Sequence, residues 1–217
     1  MSIPPSPVAP CDVILCGTCV ADILVRPVPL TVAPGAGKLF HVDPIRVTTG
    51  GIVCNTGTAM ARLGMKVAAS SLVGADVWGG VIRDTLSGEG MATAALEASP
   101  NVATSTTAVL IDPSGERSFA HHGGAPATID LAFIRRQLPH FAAARLALVG
   151  YLGLLPGLEP DLAPALAEIR ATGCQVALET AGSGGTLAQV APALPLVDVY
   201  VPSLDEARHQ TGLDDPR

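Results

Sequence analysis

Aromatic side chains make up only 3% of this 217-residue sequence, and its lysines and arginines do not gather into basic clusters. Nucleic acids are bound through basic surfaces, and single strands also through aromatic rings on which bases stack. Both shortages therefore argue against a nucleic-acid partner. The net charge of −6 does not exclude anionic small molecules, because backbone amides and helix amino termini can hold phosphate groups.

Long apolar runs are also lacking. No window approaches the 18 consecutive apolar residues of a membrane-spanning helix, so we expect no membrane partner. Residues 1–10 are rich in proline and carry neither the basic nor the apolar part of a secretory signal, and we interpret them as a disordered leader. Five cysteines without such a signal favour reduced thiols and a cytoplasmic protein.

Short apolar segments alternate with segments of helical periodicity along the chain. Strands are predicted over residues 12–16, 67–73, 146–152, 175–178 and 197–201, and helices between residues 55 and 64 and over 78–86, 131–138, 162–172, 186–190 and 203–211. Such alternation implies an α/β fold of three layers, a mostly parallel sheet with helices on both faces. We expect one such domain over residues 11–217.

Two segments interrupt the alternation. Residues 25–47 are rich in proline and glycine, and residues 104–123 read as a hairpin whose turn is Asp112-Pro-Ser-Gly115. We expect both segments to project from the main sheet as a small β-flap, or lid.

The segment around Gly50 and Gly51 carries the clearest chemical signal. A glycine pair allows the backbone to approach a ligand closely or to turn sharply. Asn55 follows where a helix is predicted to begin, and its amide can donate and accept hydrogen bonds at once, as a polyol ligand requires. The alternative is that Asn55 simply caps the helix, because asparagine is a preferred capping residue.

The spacing of this segment resembles the amino-terminal signature of the ribokinase-like (PfkB) carbohydrate kinases. The matching residues are Gly50, Gly51, Asn55, Gly64 and Gly74. Two neighbours depart from the family pattern: Val53 stands where a small residue or proline is usual, and Gly57 where serine, threonine or alanine is usual. The resemblance covers residues 12–213.

Other segments resemble the same family in the same order. Asp22 matches the family aspartate that contacts substrate hydroxyls, whereas Val20 replaces an asparagine carried by several ribose-using members. Residues 115–125 resemble the flap hairpin and the loop after it. Ser203 replaces the asparagine of the family's Asn-x-x-Glu motif, and Glu206 is retained.

The resemblance implies transfer of the γ-phosphoryl group of ATP to a hydroxyl of a sugar or sugar-like molecule, with Mg²⁺. It assigns the acceptor to Asp22, Gly50, Gly51 and Asn55, and the nucleotide to Ser203 and Glu206. Glu206 would organise the metal through water. The flap would close over the acceptor and form the contact of a homodimer.

Three residues have simpler alternatives. Asp22 could cap a turn, and Glu206 could complete a capping box with Ser203, which needs no metal. Of the pair His121-His122, one imidazole is expected to line the acceptor pocket, and His122 is the candidate. The alternative is that both histidines only mark the polar edge of the flap.

The family's Gly-Ala-Gly-Asp-type segment, whose aspartate is the catalytic base, has no match here. Residues 181–185 are rich in glycine but precede Glu206 and contain no aspartate. We therefore expect the amino-terminal, acceptor-binding portion of a kinase, without its base and inactive alone. The alternatives are a non-catalytic sugar- or nucleoside-binding module and an incomplete gene product. The acceptor stays open among ribose, fructose, a ketodeoxy acid, a phosphosugar and a nucleoside.

Cys16 and Cys19 form a Cys-x-x-Cys pattern. A redox motif places its first cysteine at a helix amino terminus, whereas Cys16 ends a predicted strand. A zinc site would need a second pair of ligands, which the other cysteines do not supply. We expect Cys16 to be a buried strand residue.

Overall fold

A computed structural model describes residues 8–32, 35, 37–182 and 184–215. The predicted leader falls mostly on residues outside this range, and Val8 to Pro10 are exposed. None of the helices in the described ranges is long and apolar enough to cross a membrane.

Every predicted strand and helix is present, and strands over residues 20–25, 46–50 and 96–99 are additional to the prediction. The strands are β1 (Cys11–Gly17), β2 (Val20–Val25), β3 (Arg46–Gly50), β4 (Val67–Gly74), β5 (Leu96–Ser99), β6 (Thr106–Ile111), β7 (Arg117–His122), β8 (Ala144–Leu152), β9 (Gln175–Thr180) and β10 (Val199–Val201). The α-helices are α1 (Gly51–Arg62), α2 (Val77–Gly88), α3 (Leu131–Phe141), α4 (Leu162–Ala171), α5 (Leu187–Val190) and α6 (Leu204–Thr211). Short 3₁₀ helices cover Ala125–Thr128, Glu159–Asp161 and Leu194–Leu196.

Six strands form the main sheet in the order β10-β9-β8-β1-β4-β5, and every pairing in it is parallel. Parallel sheets need cover on both faces, which explains why β1 and β4 are short, apolar and almost wholly buried. The α/β expectation is therefore confirmed.

The side chains of β1 divide between two apolar cores. Ile14 and Cys16 pack with residues of α3 and α4 on one face of the sheet. Val13 and Leu15 pack with residues of α1 and α2 on the other face. Because successive strand residues point to opposite faces, one apolar strand supports both helical layers. The molecule thus has the three layers expected from the sequence.

Four strands form a separate lid sheet in the order β3-β2-β6-β7. The pairs β2–β3 and β6–β7 are antiparallel, and β2–β6 is parallel. The predicted hairpin of residues 104–123 corresponds to β6 and β7. The other predicted lid segment, residues 25–47, is mainly the connection between β2 and β3, so the lid begins at Val20. The observed lid starts earlier than predicted because β2 pairs with β6, which is distant in the chain. A local sequence pattern does not reveal such pairing.

The lid is joined to the main sheet through Asp76, the cap of α2. One oxygen of its carboxylate accepts hydrogen bonds from the Gly79 amide at 2.9 Å and the Thr104 hydroxyl at 2.6 Å. The other oxygen accepts from the Thr104 amide at 2.8 Å. Burial alone would raise the pKa of Asp76, but the hydrogen bonds from Thr104, Gly79 and Trp78 lower it on balance.

We expect Asp76→Ala to lower the free energy of unfolding by about 2–3 kcal/mol, because it removes a helix cap and leaves donors of Thr104 without an acceptor. Urea denaturation followed by circular dichroism measures this. Asp84→Ala, at an exposed position of the same helix, is the matched control and should change stability by less than about 0.5 kcal/mol. Equal effects of the two substitutions would contradict the role of Asp76.

Candidate functional site

A cavity of about 600 Å³ lies between the lid and the main sheet. Its walls come from the turn between β1 and β2, the start of α1, the inner face of the lid and the segment after β8. The lining residues are Thr18, Val20, Asp22, Gly51, Ser105, Thr107, Phe119, His121, Gly123, Ala127, Tyr151, Gly153, Leu154, Pro156 and Glu159. Its size is ample for a small-molecule ligand.

Asp22 presents its carboxylate to this cavity from the middle of β2. It is paired in register with Thr107 of β6, which is paired with His121 of β7. Burial raises the pKa of Asp22, while the Thr107 hydroxyl and the His121 side chain oppose that rise. The Thr107 hydroxyl also lies 3.0 Å from Nδ1 of His121. Thr107 therefore lies between His121 and Asp22 and interacts with both side chains.

Two glycines make room for this carboxylate and for the turn beneath it. A Cβ atom on Gly50 would collide with the carboxylate of Asp22. Gly51 has φ +80°, and a Cβ atom there would lie 2.5 Å from the carbonyl oxygen of Thr18. That carbonyl accepts a hydrogen bond from the Val53 amide at 3.1 Å. The glycine pair therefore allows the first turn of α1 to pack directly against the turn that precedes β2.

Thr18 is a site residue that the sequence analysis did not identify. Thr18 lines the cavity, and its hydroxyl is buried and has no hydrogen-bond partner among the described residues. Buried polar groups are normally hydrogen-bonded, so this hydroxyl is suited to a ligand. Its position between Gly17 and Asp22, inside a segment already singled out, was the available signal.

Asn55 is exposed in the second turn of α1, and Gly50 occupies the cap position. The helix-cap alternative for Asn55 is therefore wrong. Its side chain hydrogen-bonds the hydroxyl of Tyr151, which lines the cavity. Burial, followed by the charge of Glu179, raises the pKa of Tyr151, and the bond from Asn55 opposes the rise. Asn55 thus reaches the cavity through Tyr151.

The lid places His121, rather than His122, against the cavity. Neighbouring residues of a strand point to opposite faces, so only one of the two imidazoles can share a face with Asp22. The backbone carbonyl of His122 accepts a hydrogen bond from the Ser105 hydroxyl at 2.9 Å. One imidazole lines the cavity, as expected, but it belongs to His121 and not to His122, the predicted residue.

Ser203 and Glu206 lie outside the cavity and form the capping box of α6. One oxygen of Glu206, Oε2, accepts from the Ser203 amide at 2.8 Å and the Thr180 hydroxyl at 2.7 Å. The capping box that the sequence predicts is therefore present, and it leaves the role of Glu206 toward a nucleotide untested. Among the described residues, no group of three or more His, Cys, Asp or Glu side chains could hold a metal ion.

Glu179, at the end of β9, is a second residue that the sequence analysis did not identify. Its Oε2 is buried and has no hydrogen-bond partner within the described part of the chain. Its carboxylate accepts a hydrogen bond from the Tyr151 amide. Burial, followed by the negative charge of Glu206, raises the pKa of Glu179 to about 7.

The thiols of Cys16 and Cys19 are buried and free. Burial raises the pKa of each to about 12, against a weaker opposing effect of the neighbouring Ser70 and Ser71 hydroxyls. Thiols of this kind stay protonated near neutral pH and are poor nucleophiles and ligands. Cys16 is the buried strand residue that the sequence predicts.

We expect Gly51→Ala to destabilise the fold by at least about 2 kcal/mol, because alanine disfavours positive φ and its Cβ would press on the Thr18 carbonyl. Gly80→Ala in α2 is the contrasting control. Its Cβ would meet no atom within 4 Å, so helix propensity alone should stabilise the protein by about 0.5–1 kcal/mol. Urea denaturation of both variants measures the difference. Tolerance of alanine at residue 51 would contradict the close packing described here.

We expect Glu179→Gln to stabilise the protein at pH 8 and to have little effect near pH 4. The folded pKa lies above the value of about 4.3 in an unfolded chain, so folding favours the protonated form. Wild-type stability is therefore lost as pH rises through about 7, whereas glutamine cannot ionise. After solvent screening, the gain at pH 8 should be about 1–2 kcal/mol.

Chemical denaturation from pH 4 to 8 tests this dependence. The exposed Glu116, in the turn of the lid hairpin, supplies the control substitution Glu116→Gln. A difference between wild type and Glu179→Gln that does not vary with pH would exclude the raised pKa.

Solved structures with the same architecture support the assignment of the fold. The ribokinase of Arabidopsis thaliana, complexed with ribose and ATP, gives a TM-score of 0.79 at 21% identity, covering 97% of this chain and 65% of that chain. A PfkB protein from Polaromonas sp. JS666 gives 0.77 at 21% identity, covering 95% and 70%. The fructokinase of Xylella fastidiosa with bound ATP gives 0.69 at 21% identity, covering 88% and 60%.

The chain spans less than two thirds of the length of the ribokinase and the fructokinase. At these identities the structures establish the shared fold alone. The sequence itself matches the family described as pfkB family carbohydrate kinase over residues 17–216, nearly its whole length. The glycine pair, Asp22 and Glu206 all fall within that match. This chain belongs to the pfkB family of carbohydrate kinases.

Proposed function

We propose that this chain binds the acceptor of an ATP-dependent kinase that phosphorylates a hydroxyl of a sugar or sugar-like molecule. The cavity under the lid is the acceptor site. The observation that carries the proposal is the Asp22 carboxylate, which faces the cavity and is supported by Thr107 and His121. A carboxylate can accept hydrogen bonds from two hydroxyls at once, which is the recognition that a polyol requires.

The neighbouring groups complete a site for hydroxyl groups. The Thr18 hydroxyl, which lacks a protein partner among the described residues, both donates to and accepts from a ligand. Gly50 leaves the space that the Asp22 carboxylate occupies, and Gly51 lines the cavity with backbone alone. Asn55 acts through the Tyr151 hydroxyl. These groups orient the acceptor, and the lid excludes water from it.

For the nucleotide, we propose the carboxyl edge of the main sheet near Glu206. The ribokinase of Arabidopsis thaliana is described with ribose and ATP, which supports ATP as the donor. Mg²⁺ commonly keeps several waters and uses one or two carboxylates together with substrate phosphates. A lone carboxylate such as Glu206 fits an indirect role through water, and Ser203 fixes its position. Bound Mg²⁺ would neutralise charge on the phosphates.

The lid offers a surface for a homodimer. Leu39, Ile45 and Val47 belong to the connection and strand at one side of the lid and are 79%, 58% and 45% exposed. Large exposed apolar side chains mark interaction surfaces when they form a contiguous patch. Sedimentation velocity decides this point: a dimer supports the proposal and a monomer contradicts it. The five free cysteines support the cytoplasm as the compartment.

The acceptor site is tested by thermal denaturation of the 217-residue chain with pentoses, hexoses, sugar acids and nucleosides, with and without Mg-ATP. A ligand present at one hundred times its Kd stabilises a protein by about 2.7 kcal/mol, which shifts the midpoint measurably. Binding of one acceptor that Mg-ATP does not alter would favour a non-catalytic binding module. If the folded chain binds none of these compounds, the proposal is wrong.

We expect Asp22→Asn to weaken acceptor binding at least tenfold, because hydrogen bonds to a charged group contribute about 1.5–3 kcal/mol each. Asp84→Asn, exposed on α2, is the matched control and should bind as the wild type does. Isothermal titration calorimetry on the acceptor found in the thermal screen measures both. Unchanged affinity of Asp22→Asn would remove this carboxylate from the site.

A further inference from the structure

The inner face of the lid carries a polar row followed by an apolar row. The polar row consists of Asp22, Thr107 and His121, which are paired directly across β2, β6 and β7. All three line the cavity. They form the part of the lid to which the proposed function assigns the hydroxyls of the acceptor.

The apolar row lies two residues further along the same strands. It consists of Leu24, Val109 and Phe119, which are again paired across the three strands. Two residues of a strand span about 7 Å, so the apolar row begins where a monosaccharide ring held by the polar row would end. Phe119 is the member of this row that lines the cavity.

Phe119 is 58% exposed, although it is a large aromatic side chain on a face that covers a cavity. The Arg117 guanidinium lies over this ring, 5.6 Å from its centre. In the segment after β8, Leu154 is 40% exposed and lines the same cavity, as does Pro156. The lid and the segment after β8 thus each add a large exposed apolar side chain to the lining of the cavity, and we call the space beside Phe119 and Leu154 the slot.

A bare monosaccharide does not match this slot. It carries hydroxyl groups around its ring, and those beyond the polar row would face Phe119 and Leu154 without hydrogen-bond partners. Val20, which also lines the cavity, adds no donor or acceptor from its side chain. A flat ring attached to the sugar would instead fill the slot, remove apolar surface from water and stack on Phe119.

We propose that the acceptor is a sugar that carries a flat ring, as a nucleoside does, and that Phe119 and Leu154 form the subsite for that ring. This inference rests on the proposed function, because the sugar part is assigned to the polar row. The sugar is bound by Asp22 and Thr18, and the ring lies between the lid and the segment after β8.

Calorimetric titration of the 217-residue chain with adenosine, inosine, cytidine and uridine, each compared with free ribose, tests the proposal. At least one nucleoside should bind about tenfold or more tightly than ribose. Phe119→Ala should weaken that nucleoside about tenfold, the scale of one base–aromatic stacking contact, and leave ribose unchanged. Leu63→Ala, which removes an 83% exposed apolar side chain outside the cavity, should change neither affinity.

The outcomes separate the subsite from the proposed function. If free sugars bind as tightly as every nucleoside, or Phe119→Ala weakens ribose and nucleoside equally, the subsite is wrong and the acceptor site stands. If Asp22→Asn leaves binding of both unchanged, the acceptor site is wrong. Thermal denaturation without ligand checks that Phe119→Ala remains folded. Phe119→Leu distinguishes stacking from apolar contact, because only stacking requires the aromatic ring.

Discussion

The close packing of Gly51 against the Thr18 carbonyl determines the geometry of the whole site. This contact holds the first turn of α1 against the turn between β1 and β2. The strand that follows that turn carries Asp22, and the strand that precedes α1 ends at Gly50, beside the Asp22 carboxylate. Since β2 and β3 are also lid strands, a backbone contact available only to glycine joins the main sheet, the lid and the Asp22 carboxylate.

A second set of interactions connects the cavity to the far edge of the sheet. Tyr151 hydrogen-bonds Asn55 through its hydroxyl, and its amide donates to Glu179. Glu179 in turn lies within the electrostatic influence of Glu206. The proposed acceptor site and the proposed nucleotide side therefore share one polar network, in which Tyr151 is the central residue. This network contains few charged side chains. Because they are buried, the charge of one strongly affects the others.

Much of this architecture was predictable from local patterns. Short apolar strands between amphipathic helices indicated the parallel three-layer fold, because a parallel sheet must be covered on both faces. The Asp-Pro-Ser-Gly turn identified the hairpin of β6 and β7, and Ser203 with Glu206 identified the start of α6. The residues around Gly50 indicated a ligand site because only glycine permits such backbone approach. Each of these signals depends on neighbours within a few residues.

Local sequence patterns were sufficient to predict the fold class, the family and the importance of Asp22 and the glycine pair. Which side chains share the cavity became known from the three-dimensional arrangement. It selected His121 over His122 through the alternation of β7. It also brought Thr18, from the turn after β1, and Tyr151, from β8, to the same cavity, and it placed Glu179 beside Tyr151. These residues become neighbours because strands distant in the chain pair and because their side chains are buried together. Both depend on contacts between residues far apart in the chain, which local sequence patterns do not encode.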